Sequence, residues 1–190
     1  MEITSLIYIP PVFPYLRQGE VIADLYELRP QIPTGDNIQP DKFDPIDHAY
    51  AVVVSQDCDL EWDYKARQSQ EPTHKLLEHV LFCALFSASE IQDRSGGSQL
   101  FKRMRQNQDE RYHSLVAAPV NGLTDNLPWL FADFKMTFSL PVAFAYWQIT
   151  SGQATRKGSL PSPYLEDLIH RLYTFLGRVA TPPVQREEGV

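Results

Sequence analysis

Cysteine is scarce in this chain of 190 residues: there are two, Cys58 and Cys83. Two cannot build a disulfide framework, and both are read as reduced thiols. Uninterrupted apolar runs are scarce as well. No stretch is long enough to span a bilayer, and Met1-Glu2-Ile3-Thr4 lacks the basic start of a signal peptide, so a cytoplasmic location is expected. Positive charge is in deficit: 17 Lys and Arg stand against 24 Asp and Glu, a net charge of −7. That excludes a general electrostatic grip on nucleic acid and leaves RNA contact to a local basic patch. Glycine, at nine, is outnumbered by 15 prolines, which favours stiff, extended connections. No phosphate-binding loop is present, because Ser95-Gly96-Gly97-Ser98 lacks the lysine of one.

What is present is apolar density. With 43% hydrophobic residues, the chain can bury one sizeable core, and residues 1–190 are read as a single domain. The stretch Tyr50-Ala51-Val52-Val53-Val54 predicts a strand buried on both faces, within 50–56. It ends in Ser55-Gln56-Asp57-Cys58-Asp59, polar groups at the exit of a core strand. Gln56, Asp57, Cys58 and Asp59 are therefore candidate binding residues.

Around that strand, an apolar arm (1–15) precedes a turn glycine and an alternating strand over 19–28. Residues 29–47, rich in Pro and Asp, read as a long loop. Glu61 to Thr73 reads as a loop or short frayed helix with Trp62 and Tyr64 as anchors. Further strands are expected near 79–87, 111–117, 130–140 and 143–149. An inserted amphipathic helix within 95–110 places Leu100, Phe101 and Met104 on one stripe, with Lys102, Arg103 and Arg105 around it. A terminal helix over 163–178 carries Leu168, Leu172 and Leu176 toward the sheet, capped by Ser162, and 182–190 is a flexible tail. The fold class expected is α+β.

Gln18-Gly19-Glu20-Val21-Ile22-Ala23-Asp24-Leu25, a long loop, then His48-Ala49-Tyr50-Ala51-Val52-Val53-Val54-Ser55 resembles the opening of PemK/MazF-like toxin barrels over roughly residues 16–90. The remainder is similar to uncharacterised bacterial proteins. The resemblance implies a small, curved, antiparallel SH3-like barrel with insertions and a C-terminal helix. In active members it implies cleavage of single-stranded RNA by an arginine and a hydroxyl beside the scissile phosphate. The arginine position falls on Ala49, or at best Tyr50, and the hydroxyl position on Ser87. Without a guanidinium there, bidentate phosphate binding is forfeited.

Each candidate has two readings. Asp57-Cys58-Asp59 is a nucleophile or metal cluster, or else aspartates capping a turn around a small buried hydrophobe. His74 and His79 with Cys58 or Cys83 lack zinc-site spacing, and no metal or cofactor is expected. Arg111 and His113 could bind a phosphate and supply a base, with Lys102, Arg103 and Arg105 as the approach, or belong to a strand and a solvated helix face. Two functions follow. One is a non-catalytic MazF-like module that binds a protein partner in a bacterial regulatory, toxin–antitoxin or defence system. The other is a toxin-type, metal-independent endoribonuclease rebuilt from Arg111, His113, Ser87 or Asp57. The first predicts those four residues scattered, the second predicts them in one groove. RNA is disfavoured by charge, a membrane is not expected, and a homodimer stays open.

Overall fold

The computed structural model describes residues 13–31, 42–69, 73–95, 97–116 and 127–178. Most of the expected N-terminal arm, the centre of the 29–47 loop and the 182–190 tail lie outside these residues. In chain order come β1 (Glu20–Pro30), β2 (Phe43–Val53), α1 (Asp57–Ser69), a 3-10 turn (Thr73–Lys75), β3 (His79–Ser87), α2 (Ala88–Ser95) and α3 (Ser98–Arg105). Then follow β4 (Tyr112–Leu115), β5 (Leu130–Pro141), α4 (Val142–Thr150), β6 (Thr155–Ser159) and α5 (Tyr164–Leu176).

The strands form one antiparallel sheet in the order β4-β5-β3-β2-β1-β6. The α+β class is as expected, but the sheet is open, with β4 and β6 as its edges, and does not close into a barrel. Ala51 and Val53 pack on one face with Leu60 of α1 and Ala145 of α4, while Val52 packs on the other with Leu168 and Leu172 of α5. The central strand is thus buried on both sides, because helices cover both faces. Beyond β5, Ile91 of α2 and Met104 of α3 pack on Phe131 and Tyr112 in a satellite core. At the start of β1, Gly19 takes the left-handed φ of +80° expected of a turn glycine, and a Cβ there would lie 2.6 Å from Leu165 Cδ1.

Several elements depart from expectation. Residues 143–149 form α4, not a strand: Pro141 ends β5, and Val142, Ala145 and Gln148 recur at helical spacing on the buried side. The aromatic content of this segment mimicked strand propensity. The central strand stops at Val53 instead of 56, and the polar groups at its exit open a helix, α1, which runs on through most of the 61–73 segment read as a loop or short frayed helix; Asp57 and Asp59 suit the positive end of that helix. Strand β2 starts at Phe43, inside the supposed loop, and pairs with β1 out to Pro30. Strand β6 is short, polar and at the edge, so it carries no apolar alternation to read. Ser162 gives no cap, since Pro163 holds that position and no side-chain cap bond forms. Leu176 is 52% exposed, and Phe175 takes its place on the buried stripe with Leu168 and Leu172.

Side chains bond to the backbone near both lateral edges. Strand β6 pairs with β1 only as far as Ala23. Beyond it, the buried Gln148 of α4 accepts from Tyr26 N at 2.9 Å and donates to Tyr26 O at 3.0 Å, replacing a strand neighbour. At the other edge Ser114 N donates to Asn107 Oδ1 at 2.6 Å, and Arg171 of α5 donates to the carbonyls of Asn107, Asp109 and Tyr112.

Candidate functional site

The four residues considered for catalysis occupy separate places. Asp57 receives both Nε and Nη2 of Arg17 at 2.5 Å, and the amide of Gln18 at 3.1 Å. Its carboxylate fastens residues 13–18 to the first turn of α1, with the Arg17 guanidinium 4.4 Å over the Phe13 ring. Hydrogen bonding to Asp57 raises the Arg17 pKa. Cys58 beside it is exposed, which corrects the reading of a buried hydrophobe, and its Sγ lies 3.9 Å from Gln56 Oε1 and Asp59 Oδ1. Ser87 is an N-cap. Its hydroxyl accepts from Glu90 N at 3.3 Å while Glu90 Oε2 accepts from Ser87 N at 2.7 Å, a reciprocal capping box that starts α2.

His113 is buried, 4.0 Å from Asp167 Oδ2, with Nδ1 lacking a hydrogen bond among the described residues. Burial first, then the charge of Arg171, lowers its pKa to about 3. It is a neutral core imidazole, too weak a base for proton transfer near neutrality. Arg111 spends Nε and Nη2 on the fully buried Asp133, at 2.7 and 2.6 Å. That bond raises the Arg111 pKa, and the Asp133 charge also helps burial to push the Cys83 thiol up, leaving it inert.

Two concavities bear on these candidates. The smaller, about 380 Å³, lies on β1, β2 and β3 where Ala49 and Tyr50 sit. Asp24, Asp47 and Glu90 ring it, with His48 at its wall. Asp24 is held at φ +61°, and His48 stacks on Phe138 at 3.9 Å with its pKa lowered chiefly by burial. Neither Arg nor Lys lines it. A phosphate placed where the toxin resemblance would put it meets carboxylates.

The larger, about 520 Å³, opens at the β4 edge between α2, α3, β5 and the end of α5. Arg94, Arg103, Arg111, Lys135 and Arg178 line it, over a floor that includes Leu100, Met104 and Tyr112. Three of these guanidiniums sit over aromatic rings: Arg94 over Phe86 at 4.0 Å, Arg111 over Tyr112 at 4.8 Å and Arg178 over Phe175 at 3.7 Å. Such placement fixes the cation while leaving its N–H edges free to bond. Asp109 and Glu110 are the carboxylates in the lining, and Glu110 Oε2 accepts from Arg178 Nη1 at 3.0 Å. The groove is a cationic site in an acidic protein.

Compared with protein-family models and with curated proteins, the chain matches none. The site must therefore be read from its chemistry.

Of the residues proposed from sequence, the groove gathers Arg111 and Arg103. Lys102 and Arg105 are exposed on the same helix, with Arg105 4.5 Å over Trp129. His113, Ser87 and the 56–59 segment are elsewhere. Lys135, Arg94 and Arg178 were not identified as site residues. Lys135 is, with Asp133, one of two charges in β5 and the exposed one of the pair, which is the signal that could have flagged it. No group of three or more His, Cys, Asp or Glu suited to a metal occurs among the described residues, and no described helix is long and apolar enough to cross a membrane.

Proposed function

We propose that this chain is a non-catalytic binding module, a divergent relative of the MazF-like toxins, that takes an anionic segment of a protein partner in the Arg94–Lys135–Arg178 groove. The setting is a bacterial regulatory, toxin–antitoxin or defence system in the cytoplasm. The observation that carries the reading is the separation of charge from chemistry. The cavity beside Ala49 and Tyr50, where the toxin resemblance would seat a scissile phosphate, is ringed by Asp24, Asp47 and Glu90. The cations converge at the β4 edge, away from the hydroxyl and the imidazole considered for catalysis: Ser87 is bound to Glu90, and His113 is buried and neutral. RNA cleavage needs a donor aimed at the developing phosphate charge, and the loss of one such donor typically costs a factor of about 100 or more.

The test pairs two assays. Incubated at low salt with long single-stranded RNA, the protein leaves it intact. Titrated with labelled polyglutamate, it binds in a salt-dependent way that Arg103→Glu and Lys135→Glu abolish. Site-specific RNA cleavage that disappears in Lys135→Glu would overturn the proposal in favour of an endoribonuclease.

A further inference from the structure

We infer that the groove is built for a phosphate monoester on a side chain of the partner, a phosphoserine or phosphothreonine, in preference to an aspartate or glutamate. This rests on the binding-module reading and narrows it to one ligand chemistry. Charge is the first argument. Five cations line the groove against Asp109, Glu110 and the Asp133 carboxylate behind Arg111, which leaves a surplus of two positive charges. A phosphate monoester carries about −1.5 to −2 near neutrality, whereas a carboxylate carries half that or little more.

Occupancy is the second. Glu110, 77% exposed at its side chain, already supplies a carboxylate to Arg178. An incoming Asp or Glu would exchange one carboxylate for another with little gain, while a dianion displaces it favourably.

Donor geometry is the third. A planar carboxylate is best held by the two-pronged edge of one guanidinium. Arg111 has spent that edge on Asp133, leaving Nη1, and Arg178 has spent Nε on Phe175 O and Nη1 on Glu110, leaving Nη2. A carboxylate could use the fork of Arg94, free among the described residues, but would leave the other donors unanswered, whereas the several oxygens of a tetrahedral group can meet Arg94, the Lys135 ammonium and these single donors on different elements together. Contact with the rings of Phe86, Tyr112 and Phe175 holds three of these cations in place before the ligand arrives, which lowers the ordering cost of binding. A volume of about 520 Å³ accepts the phosphorylated residue with a neighbour against Leu100 and Met104. Against a nucleic-acid strand stands the net charge of −7, which opposes the approach of a polyanion beyond the groove.

The experiment is fluorescence anisotropy with a labelled short neutral peptide bearing one phosphoserine, beside the same peptide with Glu or Ser there, a labelled oligouridylate, and phenyl phosphate as competitor. The phosphopeptide is expected to bind about tenfold tighter than the Glu peptide, a preference of the size that charge-assisted bonds give. Arg103→Glu and Lys135→Glu, at exposed positions and melting like the parent, abolish binding. Glu110→Gln tightens both ligands and narrows the gap between them. Equal binding of the Glu and phosphoserine peptides would overturn this inference and leave the binding module standing; no binding by any anionic probe would overturn both. Phenyl phosphate competing as well as the phosphopeptide would make the ligand a small phosphate, and tighter oligouridylate binding would make it nucleic acid, and either result ends the proposal.

Discussion

Arg111 lies in a groove that recruits anions, yet its own charge is spoken for by a carboxylate with no access to water. Replacing it with methionine keeps the stem and strands Asp133 as an unpaired buried charge, so Arg111→Met is expected to lower stability by about 3–5 kcal/mol in urea titration. Wild-type stability would mean the guanidinium is free for a ligand. His113 supplies a second check. Its folded pKa, about 3, lies below the ordinary value near 6.5, so the fold favours the neutral ring. Above pH 6.5 neither state binds the proton; as pH falls from 6.5 toward 3, the unfolded chain binds it first and stability declines. His48, lowered by burial too, acts in the same direction. In His113→Gln the fall between pH 6.5 and 5, a window above most carboxylate titrations, is expected to be shallower. At this scale the sequence indicated residue types better than roles. Asp57 and Ser87 were visible as polar groups at element ends, and Ser87-Ala88-Ser89-Glu90 spells a capping box, but partners such as Arg17 are distant in the chain or on another element. Arg111 gave no hint of Asp133, 22 residues away.

Elements with one dominant period were legible and those with competing signals were not. The stripe of α5 gave Leu168 and Leu172 correctly. Leu172→Ala should therefore cost on the order of 2–5 kcal/mol, whereas Leu176→Ala, at an exposed position, should stay within about 0.5 kcal/mol. Equal effects from the two in thermal melts would place the stripe elsewhere. Helix α4 failed because its burial depends on Gln148, a polar residue no apolar count rewards, and β6 because an edge strand needs little apolar content. Helix α1 was legible only as one of two readings, loop or short helix, for a related reason: mostly polar, it buries Leu60, Asp63 and Ala66, and Asp63 enters the core by accepting from Arg67 and the Leu77 amide.

For the whole molecule, the class and most strand positions followed from short apolar runs between prolines and glycines, but closure into a barrel could not. Closure depends on strand tilt and on which edges meet, and here the sheet stays open with helices on both faces and side chains bonded to the backbone near each edge. The edge at Tyr26 has a consequence for behaviour in concentrated solution. A strand with vacant N–H and C=O groups is a template on which another chain can add, the first step of ordered aggregation. Gln148 occupies that template with a side-chain amide that cannot propagate it. In Gln148→Ala, Tyr26 loses both bonds at a cost of about 1–3 kcal/mol, and warmed samples are expected to turn thioflavin-positive at concentrations where the parent stays clear. One glutamine then separates a protein that stays dispersed from one that seeds its own fibres.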